Sequence, residues 1–290
     1  MTLALASPAL NIPAWREIEY SPSSAIGGNY APYLARYAHD SALAHASSSA
    51  RRNLRYSDAP RCLLDYFPAP ATACDAKPGQ PPGLLVFIHG GYWQELSKDE
   101  SAFLAPAWQA AGFAHAVIGY SLAPQATLRQ IVAQCVAAIG WLQTHAAELG
   151  FDASRIVVAG SSAGAYLTAA CARACEKAFA GMVLISGIYD LTPLLDTSIN
   201  TALGLKPDDL PWLNLVAADL VTTRALVAWG EIETAEFKRQ SRELAHGIAT
   251  SGGRCVSFEI QGRNHFDVVH ELGDPSAALF EAALDSFSPP

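Results

Sequence analysis

The chain has 290 residues, of which 51% are hydrophobic, and its formal net charge at pH 7 is −8. This length and apolar content predict a globular protein of one or two domains. The acidic balance argues against a nucleic-acid partner, whose phosphates attract basic surfaces. The longest apolar runs fall far short of the roughly 20 residues that span a membrane, so we predict no membrane partner.

The first 60 residues are predicted to form an N-terminal extension rather than a domain, with a helix over 30–50. The first ten are apolar but precede any basic residue, so they lack the basic region of a secretory signal. Prolines and glycines between 68 and 83 predict a loop. Residues 190–222 contain three prolines and are predicted to be an insertion.

From Leu84 onward, apolar runs alternate with segments of helical periodicity. This alternation predicts an α/β fold, a mostly parallel sheet with helices on both faces. The predicted strands are 84–89, 114–120, 156–159, 182–186, 225–229 and 255–260. The predicted helices are 127–150, 163–177, 236–250 and a last one that begins at Asp274-Pro275.

The helix over 127–150 has the clearest end signals. Thr127 and Gln130 have the spacing of a capping box, and Gly150 is a suitable C-terminal cap. Between them, apolar residues recur with a helical period. The predicted buried face is Leu128, Ile131, Val132, Cys135, Val136, Ile139 and Leu142.

The six cysteines are scattered along the chain, and most fall within predicted helices or strands. There, free cysteine packs as a small hydrophobe. Cys171 and Cys175 are one helical turn apart, without a histidine or a second cysteine pair at ligand spacing, so packing is favoured over a metal site. This pattern predicts a reducing compartment, the cytoplasm.

Gly160-Ser161-Ser162-Ala163-Gly164 lies between a predicted strand and a predicted helix. In that context G-x-S-x-G is typical of a nucleophile elbow, a sharp turn that exposes the central hydroxyl, here that of Ser162. The N–H of Ala163 lies at the start of the helix, where unpaired N–H groups favour negative charge. The segment therefore predicts a nucleophile and part of an oxyanion hole.

A serine hydroxyl needs a base, usually a histidine oriented by a carboxylate. His265 follows the last predicted strand, at the sheet edge where ligands bind, and is the predicted base; the alternative is a loop histidine bonded to backbone. Glu233, three residues past Gly230, is the predicted acid. The alternatives for the acid are Glu231, Glu236 and Asp190.

His89-Gly90-Gly91-Tyr92-Trp93 directly follows the first buried strand. Paired glycines let backbone N–H groups approach a developing oxyanion, so Gly90 and Gly91 are predicted to complete the oxyanion hole with Ala163. A plain Gly-Gly turn is the alternative. His89 is predicted to be a structural hydrogen-bonder. Tyr92, Trp93 and Phe266 are predicted to line an aromatic pocket or to pack in the core.

Together these segments resemble the HGG branch of the α/β-hydrolases, and within it the arylformamidase (kynurenine formamidase) family. The resemblance runs from about Leu84 to Leu279. Besides the segment that begins at His89, it is carried by Tyr120-Ser121-Leu122-Ala123-Pro124, Ser186-Gly187-Ile188-Tyr189-Asp190-Leu191, Glu236-Phe237-Lys238-Arg239-Gln240-Ser241 and Asn264-His265-Phe266-Asp267. One departure is Glu233, because the acid is often aspartate in this superfamily.

The resemblance implies a serine hydrolase with Ser162, Glu233 and His265 as its triad, and a small-molecule substrate, N-formyl-L-kynurenine, cleaved to kynurenine and formate. It implies no cofactor and no metal. The alternatives are a general carboxylesterase and a non-catalytic binding module. Residues 61–290 are expected to form the hydrolase domain, with 190–222 as a cap-like insertion and 1–60 packed near the active-site mouth. The sequence allows a homodimer without specifying one.

Overall fold

The computed structural model describes residues 14–47, 49–70, 81–175 and 179–286, which form one sheet of eight strands in the order β1-β2-β4-β3-β5-β6-β7-β8. Neighbours from β4 through β8 are parallel, whereas β2 is antiparallel to both β1 and β4. The strands are β1 (Arg51–Arg55), β2 (Leu63–Phe67), β3 (Leu84–Ile88), β4 (Ala114–Ile118), β5 (Ile156–Ser161), β6 (Gly181–Ile185), β7 (Arg224–Ile232) and β8 (Cys255–Asn264).

Helices cover both faces of the sheet. Residues of α4, α5 and α8 pack in the core on one face, and residues of α2, α3 and α9 pack in the core on the other. Within the described residues the helices are α1 (Ala14–Glu19), α2 (Ala31–Ser47), α3 (Ala105–Ala110), α4 (Leu128–Leu149), α5 (Ala163–Ala174), α6 (Asn200–Leu203), α7 (Leu210–Leu213), α8 (Ala235–Thr250) and α9 (Ala278–Asp285). The predicted mostly parallel sheet with two covered faces is confirmed.

The strand order reverses at β3, which lies between β4 and β5. The chain leaves β3 toward one side of the sheet and later returns to the other side. At such a reversal, the loops that follow two adjacent strands diverge and leave a crevice at their carboxyl ends. Here those loops follow β3 and β5, so the fold brings the Gly90-Gly91 segment beside Ser162.

The end signals of α4 are confirmed. The Thr127 hydroxyl accepts a hydrogen bond from the Gln130 N–H, and the Gln130 side chain accepts one from the Thr127 N–H at 2.8 Å. Gly150 ends the helix with a φ of 81°, which favours glycine. Of the predicted apolar face, Val132 and Val136 are only half-buried; the other five positions are buried.

The sequence analysis missed β1, β2 and α3. In β2 the apolar run is interrupted by Asp65, which is nevertheless fully buried. Its carboxylate accepts a hydrogen bond from the Asn53 N–H at 2.7 Å and lies 3.0 Å from the Lys98 ammonium. A buried carboxylate is tolerated when it is paired and hydrogen-bonded in this way, so a charge stands in a strand that otherwise has an apolar pattern.

The last helix begins at Ala278, not at Asp274, so that prediction is wrong. The Asp274 side chain accepts hydrogen bonds from the N–H and hydroxyl of Ser276, which form a local turn before the helix. Several other expectations lie outside the described residues: those for the first ten residues, for most of the loop 68–83 and for the helix end at Lys177.

Residues 190–222, which the sequence predicts to be an insertion, contain short helical turns, including α6 and α7. In the ranges that the structure describes, no helix is both long and apolar enough to cross a membrane.

His115 on β4 generates a prediction about acid stability. Its side chain is fully buried, and neither ring nitrogen has a hydrogen-bond partner among the described residues. Burial lowers the pKa of His115 to about 3, from an ordinary value of 6.5. Between these values the unfolded chain binds the proton and the folded chain does not, so stability is lost as the pH falls below about 6.5.

Between pH 7 and pH 5, we therefore expect the free energy of unfolding to fall by about 2 kcal/mol less in His115→Leu than in the wild type. The measurement is the free energy of unfolding in urea at both pH values. Val117→Ala, a buried non-titrating change on the same strand, should lower stability equally at both. An unchanged pH dependence in His115→Leu would contradict the assignment.

Candidate active site

Ser162 is the single residue between β5 and α5, and its backbone is strained. Its φ of 57° and ψ of −121° form a combination that residues with a side chain rarely adopt. Glycine on either side makes the turn possible, because a Cβ on Gly164 would clash with the Ile88 carbonyl and one on Gly160 would clash with the Gly164 carbonyl. The Ser162 N–H donates to the Ile185 carbonyl at 2.8 Å, which ties the elbow to β6.

Glu233 and His265 form a buried pair. His265 Nδ1 lies 3.0 Å from Glu233 Oε2, and the two side chains are 5% and 1% exposed. The other carboxylate oxygen, Oε1, accepts hydrogen bonds from the Gly230 N–H and from the Ser186 hydroxyl, each at 2.6 Å. A carboxylate that accepts from Nδ1–H fixes the tautomer in which Nε2 is free to take a proton.

The three alternatives for the acid lie elsewhere. The Glu231 carboxylate is exposed and accepts from the Gly262 N–H. Glu236 pairs with Arg239 at 2.6 Å, and this partner lowers the pKa of the carboxyl. Asp190 is exposed and accepts from the Thr192 N–H. Of the four candidates, Glu233 is the one whose carboxylate contacts His265.

The loop after β3 presses its backbone against the elbow. A Cβ on Gly90 would lie 2.8 Å from the Ser161 carbonyl oxygen and 3.2 Å from Ser162 Cβ. Gly91 has a φ of 94°, which favours glycine. Among the described residues, the N–H groups of Gly90 and Gly91 donate to no other group, and Ala163 is the first residue of α5, where an N–H has no helical partner.

The side chains of His89 and Tyr120 hold the backbone of this loop in place. Their rings stack with centroids 4.2 Å apart, and the Tyr120 hydroxyl donates to the His89 carbonyl at 2.8 Å. His89 Nδ1 lies 2.9 Å from the Gly90 carbonyl, and burial lowers the pKa of His89 to about 4. A neutral ring bonded to backbone fixes the loop and is not placed to act as a base.

Ser162, His265, Gly90 and Gly91 all border one cavity of about 240 Å³. Tyr92 and Phe266 line it as expected from the sequence. Trp93 does not line it and packs in the core, which was the second of the two expectations for this residue. Its side chain is fully buried, with its ring edge-on to Tyr166 at 5.3 Å, because the turn after Gly91 directs it into the core.

The sequence analysis missed most of the cavity wall. The N-terminal segment contributes Tyr20, Tyr30 and Tyr37, and residues 190–222 contribute Ser198 and Ile199. The signal that could have found Tyr30 and Tyr37 is the spacing of the tyrosines at 30, 33 and 37, which puts them near one helical face; it gives no indication of Tyr20.

The charge of the cavity is one-sided. Two carboxylates, those of Glu17 and Glu95, are on its wall, and the described lining contains no lysine or arginine. Glu17 accepts from the Ser198 hydroxyl at 2.9 Å, whereas Glu95 is exposed at the mouth and raises the pKa of the neighbouring Tyr30. The wall therefore suits a cationic group better than an anionic one.

One group of potential metal ligands lies outside the cavity lining, at His45, Asp65 and Asp99. The Lys98 ammonium is 3.0 Å from Asp65 and 2.8 Å from Asp99. A cation is thus already supplied by the chain, and the cluster is explained as an ion-pair network.

Comparisons with known proteins agree with this geometry. The profile of the α/β hydrolase fold family matches residues 85–214. A crystal structure of a Silicibacter sp. TM1040 protein named as a thioesterase has a TM-score of 0.74 and 28% identity, over 91% of this chain and 96% of that one. An esterase from Pyrobaculum calidifontis shares the fold, with a TM-score of 0.70 and 20% identity, over 95% and 97% of the two chains.

Among curated proteins, the kynurenine formamidase of Drosophila melanogaster is 28% identical over 76% of this chain and 75% of its own length. The kynurenine formamidase of Danio rerio is 30% identical over 92% of this chain and 94% of its own length. Because this identity extends over nearly the whole of both proteins, the chain belongs to the kynurenine formamidase family of α/β-hydrolases.

Proposed function

We propose that the protein hydrolyses N-formyl-L-kynurenine to L-kynurenine and formate, with Ser162, Glu233 and His265 as its catalytic triad. The observation that carries the proposal is the buried Glu233–His265 pair on the same cavity as a serine in a strained elbow. Three kynurenine formamidases match 92%, 80% and 76% of the chain, whereas the carboxylesterase NlhH of Mycobacterium tuberculosis matches 69% of it, so the formamidases supply the substrate.

In this mechanism His265 Nε2 accepts the Ser162 proton while the hydroxyl oxygen attacks the formyl carbon. The N–H groups of Gly90, Gly91 and Ala163 hold the developing oxyanion, and each such donor contributes roughly 3–4 kcal/mol to the transition state. His265 then returns the proton to the departing aryl amine. Water, deprotonated by the same base, releases formate from the serine.

An aryl formamide suits such a site for two reasons. Formyl is the smallest acyl group, and an aryl amine leaves more readily than an alkyl amine. Tyr30 and Phe266 form a part of the cavity wall against which the aromatic ring of the substrate can pack. The chain needs no metal for this reaction, since His265 supplies the base.

The alternative of a general carboxylesterase has weaker support. The esterase LipC of Mycobacterium tuberculosis is 29% identical, but over 57% of this chain and 38% of its own length. A non-catalytic binding module would not require the Glu233–His265 contact. We further propose that 61–290 is the hydrolase domain, that 1–60 and the cap-like 190–222 enclose its mouth, and that the free cysteines place the protein in the cytoplasm.

The test is steady-state kcat/KM on N-formyl-L-kynurenine beside p-nitrophenyl acetate, for the wild type and Ser162→Ala. We expect the formyl substrate to be preferred by at least about 100-fold and the variant to lose about 10⁴-fold or more on both. Turnover of the ester alone would retain the triad and overturn the substrate. Full activity in Ser162→Ala would overturn the mechanism.

A second prediction separates the acid from its neighbours. Glu233→Gln keeps the shape of the side chain but cannot stabilise the imidazolium, so kcat should fall by about 10⁴-fold, as for a triad aspartate changed to asparagine. Glu231→Gln, two residues away and exposed, should change kcat by less than about threefold. Equal losses in the two variants would remove Glu233 from its proposed role.

A third prediction concerns the charge of the cavity. The substrate is an amino acid with an α-ammonium and an α-carboxylate group, and we expect the exposed Glu95 carboxylate on the cavity wall to attract the ammonium group. Glu95→Gln should raise KM for N-formyl-L-kynurenine by about two- to fivefold, the range for an exposed ion pair, and raising the salt concentration should shrink the difference. KM for p-nitrophenyl acetate, which has no charge, is the internal control. A parallel change for both substrates would show that Glu95 acts through shape.

A further inference from the structure

We propose that the N-terminal segment, residues 14–47, is a working part of the catalytic machinery, and that Tyr37 is a positioning residue for His265. The segment holds the loop that carries His265 through direct hydrogen bonds. This rests on the proposed role of His265 as base, but not on which acyl compound is the substrate.

The contacts flank His265 on both sides. The Tyr37 hydroxyl donates to the carbonyl of Phe266, the residue after the base. The side-chain amide of Asn264, the residue before the base, donates to the Tyr33 hydroxyl at 2.9 Å. Tyr37 is buried, which raises the pKa of its hydroxyl, so the proton that it donates is retained.

Aromatic packing adds to these bonds. The Phe266 ring stacks on Tyr30, with centroids 5.3 Å apart and planes 9° apart, and on Tyr33 at 5.6 Å. The His265 ring in turn stands edge-on to Phe266 at 5.4 Å and to Phe237 at 4.7 Å. The imidazole therefore has a ring on each of two sides, one of which is held by the N-terminal segment.

The N-terminal contacts add to the hold that the sheet has on one end of the loop, where Asn264 ends β8 and pairs with Ile232 of β7. The bonds within the loop fix its shape. Asp267 accepts from the Asn264 N–H at 2.7 Å, and Asn264 accepts from the Phe266 N–H at 2.9 Å. Both bonds are internal to 264–267 and would move with the loop. Glu233 holds one ring nitrogen by a single bond, about which the ring can still tilt. A displacement of about 1 Å at a reacting group can cost about 100-fold in rate.

The same segment also contacts the loops of the acid and of the oxyanion hole. The Thr234 hydroxyl, next to Glu233, donates to the Glu19 carbonyl at 2.6 Å. The Tyr92 hydroxyl, next to Gly91, donates to the Tyr20 carbonyl at 2.5 Å. One continuous stretch of chain thus connects three loops that follow three different strands.

The test compares two buried tyrosines that each donate to a backbone carbonyl. Tyr37→Phe removes the bond to the base loop. Tyr66→Phe, on β2 and outside the cavity lining, removes a bond to the Leu149 carbonyl of 2.8 Å and is the matched control. We expect similar falls in Tm for both variants, because both lose one buried hydrogen bond. Only Tyr37→Phe should lower kcat, by about tenfold or more, with KM nearly unchanged.

A substrate-independent measurement separates this proposal from the proposed function. The rate at which a fluorophosphonate inactivates the enzyme through Ser162 depends on the base but not on the formyl compound. We expect Tyr37→Phe to slow inactivation by a factor similar to its loss in kcat, across the pH range in which the wild type reacts. An enzyme that rejects N-formyl-L-kynurenine but reacts with the probe would overturn the proposed substrate and leave this test intact.

Two outcomes would overturn the positioning role. One is kcat and inactivation rates in Tyr37→Phe equal to those of Tyr66→Phe. The other is a raised KM at unchanged kcat, which would make Tyr37 a simple part of the cavity wall. If Tyr37→Phe fails to fold, Tyr33→Phe replaces it, since it removes the partner of Asn264 at a less buried position; the same slowed inactivation is expected, and wild-type rates would overturn the proposal.

Discussion

The close approach of two backbone segments governs this structure. The turn at Ser162 and the loop after β3 are in contact, and the space between them admits no Cβ at Gly90 or Gly164 without a shift. This contact allows unpaired N–H groups from two different loops to face one point beside the serine hydroxyl. The reversal of strand order at β3 creates the crevice, and the glycines let the two backbone segments approach each other there. Strain at Ser162 is sustained because the elbow is anchored to β6 on one side and to α5 on the other.

The position of the Glu233 carboxylate depends on the neighbouring ends of strands β6 and β7. Glu233 directly follows β7, and its carboxylate accepts hydrogen bonds from the backbone of Gly230 in that strand and from Ser186, the residue after β6. A buried carboxylate is tolerated when it accepts such hydrogen bonds, and in the reaction it stabilises the imidazole when that ring takes up a proton. Around it, burial keeps His89 neutral, so one histidine supports the loop while the other is available for proton transfer.

The N-terminal segment also brings active-site loops together, through contacts with several of them. A sheet brings loops to one edge, but it does not fix the distance between loops that leave different strands. Residues 14–47 lie across that edge and bond to the loops of the base, the acid and the oxyanion hole. Tyr37, which donates to the base loop, is also part of the cavity wall, so one side chain contributes both to the support of the base and to the space for the substrate.

Local signals in the sequence determined the parallel sheet, the capped helix α4 and the sharp turn at Ser162, because periodicity, caps and glycine spacing act over a few residues. They also placed His265 after the last strand. They did not reveal β2, where a buried aspartate depends on Lys98 more than thirty positions away. They favoured Glu233 as the acid but left Glu231, Glu236 and Asp190 as alternatives. Only the tertiary structure decided which carboxylate reaches His265, that Trp93 packs inward, and that tyrosines near the start of the chain enclose the site. Those outcomes depend on contacts between residues far apart in sequence, and the local sequence around a residue does not specify its long-range contacts.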